Sequence, residues 1–395
     1  MLHTQVIGPA IRRGWLAVIA AASVLFGCGG VGTGGTGAFA SGPITGFGSI
    51  IVNGVRFDES SARIDDDDGG GRSAGELRLG MVVAIDSGEI TSDASGRVAK
   101  ATRVRIGSEL VGPVDSVDAT AGTLLVIGQR VRVDAATVFD GGLGGGLASL
   151  AAGSVVEVYG FQDAASGGVL ATRVEPRTPA PAVYKIRGSV AQLNNAALQF
   201  QIGDATLTYA GLASVPGGLA NGTIVRARLA TVRDALGRWV VQSLEPGLHS
   251  PADYDDAHVK GLVTQFNSAS SFAINGIAVD ASRATVEGGA VSAGARVEIE
   301  GRFEGGVLVA RKVEIGDAAQ ADQFELHGNI ASVDTTGKTF TLTGRSEVIG
   351  FSRADLVYEG GGTPAGLTVG RRVEVRGVLS PDGTRVDATK IEFEN

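Results

Sequence analysis

A chain of 395 residues with 61 Gly, 44% hydrophobic and 19% charged residues has the balance of a folded protein and excludes a disordered one. The formal net charge of −8 argues against a phosphate-binding surface, so nucleic acid is not expected as a partner. One cysteine, Cys28, excludes an intrachain disulfide and a thiolate metal site.

The chain opens with Arg12 and Arg13 ahead of an apolar run from Trp15 to Phe26, the length of a signal-peptide core and too short to span a bilayer. Leu25-Phe26-Gly27-Cys28 resembles the bacterial lipobox, although Phe26 is bulkier than is usual there. The resemblance implies a signal peptide over 1–27, lipid on Cys28 and attachment to a membrane through that lipid. Gly29, where an Asp would mark the inner membrane, implies an outer-membrane lipoprotein. The alternative is an ordinary signal peptide cut elsewhere, with Cys28 incidental. From Cys28 to Ser41 the composition is mostly Gly, Thr, Ala and Ser, which reads as a flexible tether over 28–41.

The remainder repeats itself at a spacing of roughly 65 to 75 residues. An apolar-x-Gly-x-apolar strand opens each unit: Ile44-Thr45-Gly46-Phe47, Val111-Gly112-Pro113-Val114, Ile186-Arg187-Gly188-Ser189-Val190, Val259-Lys260-Gly261-Leu262-Val263 and Leu326-His327-Gly328-Asn329-Ile330. A second marker alternates apolar and charged residues and ends in Gly, as in Val156-Glu157-Val158-Tyr159-Gly160, Val297-Glu298-Ile299-Glu300-Gly301 and Val373-Glu374-Val375-Arg376-Gly377. That period of two marks a half-buried strand. Between the markers lie hairpins. Asn53-Gly54 and Asn275-Gly276 sit between β-formers and predict type I′ turns, and Gly128 and Gly203 hold the same place in units two and three.

Each unit therefore reads as five short strands with Gly in the first and fourth. The predicted fold is all-β: tandem five-stranded OB-like barrels over 42–107, 108–178, 183–247, 257–316 and 323–395, with small β-sandwiches as the alternative. Only Leu147 to Ala152 has any helical character. Unit three lacks the closing Gly in its fourth strand. Unit one has almost no spacer before its Asn-Gly turn, which points to a barrel that is incomplete or completed differently. The linkers, Pro176 to Pro181, Leu248 to Ala257 and Gly316 to Asp322, are short. A rod or arc of separate barrels is expected.

The stretch from Gly46 to Asp58, GFGSIIVNGVRFD, resembles the signature of a bacterial domain-of-unknown-function family, the one numbered fifty-six sixty-six. The resemblance implies a lipoprotein with several such domains in tandem and brings no activity.

Candidates for chemistry are few. Asp65, Asp66, Asp67 and Asp68 precede a Gly-rich turn and are the weak candidates for a hard cation, but they lack EF-hand spacing and read first as a solvated acidic loop. His249 and His258 flank Asp253, Asp255 and Asp256 without a known zinc spacing, and His327 reads as an exposed strand residue. Arg226, Arg228, Arg233 and Arg238 give unit three a local basic character that suits an acidic partner or a lipopolysaccharide phosphate. Phe47, Phe57, Tyr159, Phe161, Trp239, Phe303 and Phe393 read as core or edge packing. No catalytic residue and no cofactor is assigned, since no nucleophile elbow, metalloprotease pair or phosphate loop occurs. The leading expectation is a non-enzymatic, lipid-anchored envelope protein whose barrels act as an interaction or spacer module toward an envelope protein or glycan. The alternatives are an envelope saccharide- or cation-binding protein and a hydrolase with paired carboxylates.

Overall fold

The computed structural model describes residues 37–164, 166–247, 251–316 and 323–394. The signal-peptide, lipidation and tether assignments up to residue 36, with Cys28 and His3, lie outside these residues, as does His249.

Alternating apolar residues decide each strand. In Arg296–Glu304, Val297, Ile299 and Phe303 are buried while Glu298, Glu300 and Arg302 turn outward. Each such inward side chain contributes about 1.5–3 kcal/mol by leaving water, enough to set the register of a nine-residue strand.

In the second unit the strands are Leu110–Asp118, Thr123–Val126, Gln129–Arg132, Val155–Asp163 and Gly168–Pro176. They pair in the order one-two-three-five-four and back to one, with strands three and five parallel. That circuit is an OB-like barrel. The same circuit closes in the third unit, the fourth and the fifth. The first unit closes too, through Ala38–Pro43 with Gly46–Phe47, Ile50–Val52, Val55–Asp58, Val82–Ser87 and Gly96–Ile106. Barrel one is therefore complete. The only helical elements among the described residues are 3-10 turns, Ala74–Glu76, Gly146–Ser149 and Pro364–Gly366, each between strands three and four of its barrel. No helix among the described residues is long and apolar enough to cross a membrane.

Two corrections follow from the register of strand one. It begins at Ala38, so the last residues assigned to the tether, Ala38 to Ser41, are strand. Ala38, Phe39 and Ala40 are buried there, and Phe39 packs edge-on against Phe303. The opening glycine of unit one is also Gly42, in Ala40-Ser41-Gly42-Pro43-Ile44, and not Gly46. Gly42 pairs with Val83, as Gly112 pairs with Val156, Gly188 with Val225, Gly261 with Val297 and Gly328 with Val373. The physical reason is the strand two–three turn, which folds over strand one. A Cβ at Gly42, Gly112, Gly188 or Gly261 would lie under 3.0 Å from Asn53, Ile127, Ile202 or Asn275 respectively. The turns themselves carry positive φ at both central residues, 51° and 68° at Asn53-Gly54 and 51° and 83° at Asn275-Gly276, as type I′ demands.

The closing glycine also has a clear task. Strand four bulges at Gly160, Gly301 and Gly377, where a Cβ would lie under 3.0 Å from a strand-five carbonyl oxygen. In barrels one and three the bulge falls at Ser87 and Leu229, and both barrels still close.

The barrels do not form a rod of separate cores. Strand one of barrel one pairs in parallel with strand one of barrel four over Ala38–Ser41 and with that of barrel five at Gly46 and Phe47. Barrels one and five share one hydrophobic cluster, and barrels two and three share another. Barrel two touches the rest of the array: Thr172 Oγ1 donates to Gly80 O of barrel one at 2.7 Å, and Phe139 N to Gly383 O of barrel five at 2.8 Å. Phe161 and Leu170 pack on Leu262 of barrel four. Residues Tyr254–Ala257, assigned to a linker, are the start of barrel four's first strand. The expected arc is thus an interlocked cluster, because outward faces of short strands bury one another.

Candidate functional site

The acidic turn and the basic residues of unit three were separate candidates in the sequence, and the fold brings them together. Asp65 is buried between Arg63 Nε at 2.7 Å and Arg103 Nε at 2.8 Å, and those hydrogen bonds, Arg63 first, hold its carboxyl below the usual range against the opposing pull of burial. Asp66 Oδ1 accepts from Gly70 N at 2.6 Å, and Oδ2 faces Arg72 Nε at 3.1 Å. Asp67 meets Lys185 Nζ at 2.8 Å and Arg226 Nη1 at 3.5 Å. Asp68 lies 3.8 Å from Arg228 Nη1. Each carboxylate already has a cation of this chain within 4 Å, so the turn offers no free set of ligands for a metal, while its tip from Asp68 to Gly71 stays exposed to solvent. Arg226 also bonds Glu245. Arg233 stacks over Trp239 at 4.5 Å, and Arg238 pairs with Asp234 at 2.8 Å. The basic character of unit three is therefore spent inside the molecule.

The histidines separate. His258 is buried in barrel four, with Nε2 3.4 Å from Asp256, whose carboxyl is pushed down to about 2 by the His258 and Arg311 hydrogen bonds. Asp253 instead accepts from Gly305 N at 2.7 Å. His327 is not an exposed strand residue. It sits where barrel five docks on barrel one, its side chain 13% exposed, with Nε2 2.7 Å from Glu325 and Nδ1 3.3 Å from Glu394. Glu325, His327 and Glu374 bring ligand-capable atoms within 4.8 Å of one another. However, Arg56 bonds Glu325 and lies 3.0 Å from His327 Nε2, so a cation of the chain occupies that position. Gly46 and Gly48 make this docking close: a Cβ at either would lie under 3.0 Å from Glu325 O or His327 Cβ.

A site that the sequence did not reveal lies where barrels one, two and three meet. There the chain encloses a cleft of about 350 Å³. One wall is the acidic turn and the segment from Arg72 to Arg78. Opposite are Glu157 and Tyr159 on strand four and Arg173 and Glu175 on strand five of barrel two. The Pro176 to Pro181 linker and Tyr184 and Lys185 of barrel three complete it. Arg173 bridges Asp140 at 2.7 Å and Glu175 at 2.8 Å, and Arg72 bridges Asp66 at 3.1 Å and Glu76 at 3.2 Å. Two polar atoms are left over. Ser108, 2% exposed, has no hydrogen-bond partner for Oγ. Glu157 Oε2 lies 3.1 Å from Arg177 Nε but out of line for a hydrogen bond. Burial first, then the charges of Glu157 and Glu175, pushes the Tyr159 hydroxyl well above its ordinary value, so it stays protonated and able to donate.

The acidic turn and Arg228 stood out in the sequence, but Ser108, Glu157 and Tyr159 carry no signal of a site there. Glu157 and Tyr159 sit in the period-two marker, where charged positions read as solvent-facing, and Ser108 lies at a unit boundary. The aromatic residues read as packing are all buried.

A search of curated proteins finds no match to the chain. A family model described as Domain of unknown function (DUF5666) matches residues 111–175, 260–314 and 327–392. These are barrels two, four and five. The Gly46 to Asp58 stretch that carried the resemblance belongs to barrel one and falls outside the matched segments, in keeping with its use as a docking strand. The chain is thus a tandem array of OB-like barrels, three of which match the model of this domain of unknown function.

Proposed function

We propose that this chain is a non-enzymatic protein of the cell envelope, anchored by lipid on Cys28 at the outer membrane, whose barrels form one interaction module with the three-barrel cleft as its contact site. The observation that carries the reading is a cleft of about 350 Å³ with two buried polar atoms that make no hydrogen bond within the chain, Ser108 Oγ and the Glu157 Oε2 that Arg177 meets only as an ion pair. A buried polar group without a hydrogen bond costs about 1–3 kcal/mol, so a ligand or ordered water that satisfies both is stabilised there. The anchor rests on Leu25-Phe26-Gly27-Cys28.

The partnering of the carboxylates supports a non-catalytic role. A glycosidase pair needs one carboxyl in surroundings that favour the protonated acid. All seven carboxylates of the cleft have a Lys or Arg nitrogen within 3.8 Å.

Photocrosslinking in cells tests the reading. A photoreactive residue replaces Arg228 at the cleft, and another replaces Val369, 69% exposed on barrel five, as control. An adduct at position 228 absent at 369 is the expected result. Equal labelling at both, or none at 228, removes the cleft as contact site. Labelling with an alkyne fatty acid, lost in Cys28→Ser, tests the anchor independently.

A further inference from the structure

The ligand of this cleft has a readable chemistry. Its walls hold seven carboxylates against six Lys and Arg side chains, nearly balanced, so neither an anion nor a cation finds a net charge to meet. Its polar groups are of mixed sense. Ser108 Oγ donates and accepts, Glu157 Oε2 accepts, and the protonated Tyr159 hydroxyl donates. Pro176, Pro181 and Val183 line the same cleft and offer an apolar strip.

The internal repeat shows that Glu157 is set apart. The outward Glu of strand four pairs across the ladder with Lys260 in barrel four, at Glu298, and with His327 in barrel five, at Glu374. In barrel two the same ladder position opposite Glu157 is Val111. Of the three barrels with a Glu at this position, barrel two alone lacks the cross-strand cation, and its Glu157 faces Arg177 of the linker instead.

We infer that the cleft binds a neutral, multiply hydroxylated ligand of mono- to disaccharide size, with Glu157 and Ser108 holding its hydroxyls and the proline strip its C–H face. This rests on the cleft being the contact site proposed above. Sugars suit mixed donors and acceptors because each hydroxyl does both, and a volume of about 350 Å³ lies at the small end of ligand pockets. The site differs from the strand two–three face on which OB barrels commonly hold saccharides, because it is built between barrels.

The test is saturation-transfer NMR on the purified full-length protein with maltose, cellobiose and N,N′-diacetylchitobiose, and with inorganic phosphate and putrescine as charged probes. At least one disaccharide is expected to bind. Glu157→Gln and Ser108→Ala should each weaken it about ten-fold. Pro181→Trp, which narrows the cleft without touching the buried polar atoms, should abolish it and guards against a folding defect in the other two. No transfer from any disaccharide, transfer unchanged in Pro181→Trp, or binding of only phosphate or putrescine overturns the inference. A crosslink at position 228 in cells together with silent disaccharides discards the ligand class and keeps the contact site. Failure of both experiments discards both.

Discussion

Barrels two, four and five differ from barrels one and three in the residue at the strand-four bulge. The first group bulges strand four at glycine, the second at Ser87 and Leu229. The first group is also the one that the domain of unknown function matches. Yet all five circuits close. The closing glycine is therefore one solution to the bulge and not a condition of the barrel. Leu229 is fully buried, and Ser87 Oγ donates to Ala38 O at 3.2 Å, so each divergent residue takes on packing or bonding that glycine lacks. The two divergent barrels are also those that join barrel two around the cleft, supplying the acidic turn and Lys185 with Arg228.

The largest expected effect tests that exchange directly. Leu229→Ala should destabilise the protein by about 2–5 kcal/mol through the cavity it leaves, read as a lowered denaturant midpoint. A neutral result would mean that barrel three tolerates a small residue at its bulge as barrel two does, and the distinction between the groups would fall. Next in size, Asp67→Asn leaves Lys185, 7% exposed, without its carboxylate between barrels one and three. About 2–3 kcal/mol should be lost, less than for a fully buried pair because Asp67 keeps some exposure. Retention of wild-type stability would show that the two barrels are held by apolar contacts alone.

Smaller effects sharpen the comparison within strand one. Gly112→Ala and Gly261→Ala, where the turn side chain crowds the glycine, should cost about 1–3 kcal/mol each. Gly328→Ala, whose Cβ would meet Leu342 at 3.6 Å, should change the melting temperature little. Equal losses at the three sites would mean that the turn does not explain the glycine.

The smallest effect concerns pH at the docking of barrel five. Burial works to lower His327, but the hydrogen bond to Glu325 and the charge of Glu374 outweigh it and raise it above 6.5. That stabilisation is present below 6.5 and fades as pH rises through the raised value. Burial works to raise Glu325 and Glu394, but His327, Arg56 and Arg372 outweigh it and lower both below 4.5, so their contribution is present above 4.5 and fades as pH falls. The melting temperature should drop between pH 6 and pH 8, and His327→Gln should flatten that drop. An unchanged slope in the variant would place the pH response elsewhere in the molecule.

Much of the barrel was legible because its signals are local. Asn-Gly predicts its turn whatever surrounds it, and Val297-Glu298-Ile299-Glu300 predicts a strand from its own alternation. The register of unit one was misread because Gly46 and Gly42 fit the same pattern, and only pairing with Val83 or with Glu325 tells them apart. The acidic turn was visible as a cluster, and so were Arg226 and Arg228, but their mutual pairing joins residues far apart in the chain.

The sequence by itself determined five β units, their turns and most of their inward faces, since each depends on neighbours a few residues away, whereas the closure of barrel one needed its strand pairing. Only the tertiary structure decided the outward faces. A charged residue that alternates with core residues points away from its own barrel, and nothing nearby in the chain says whether water or another barrel waits there. Glu157, Ser108 and His327 meet another barrel, and that is why the cleft and the docking cluster had no signature before the barrels were assembled.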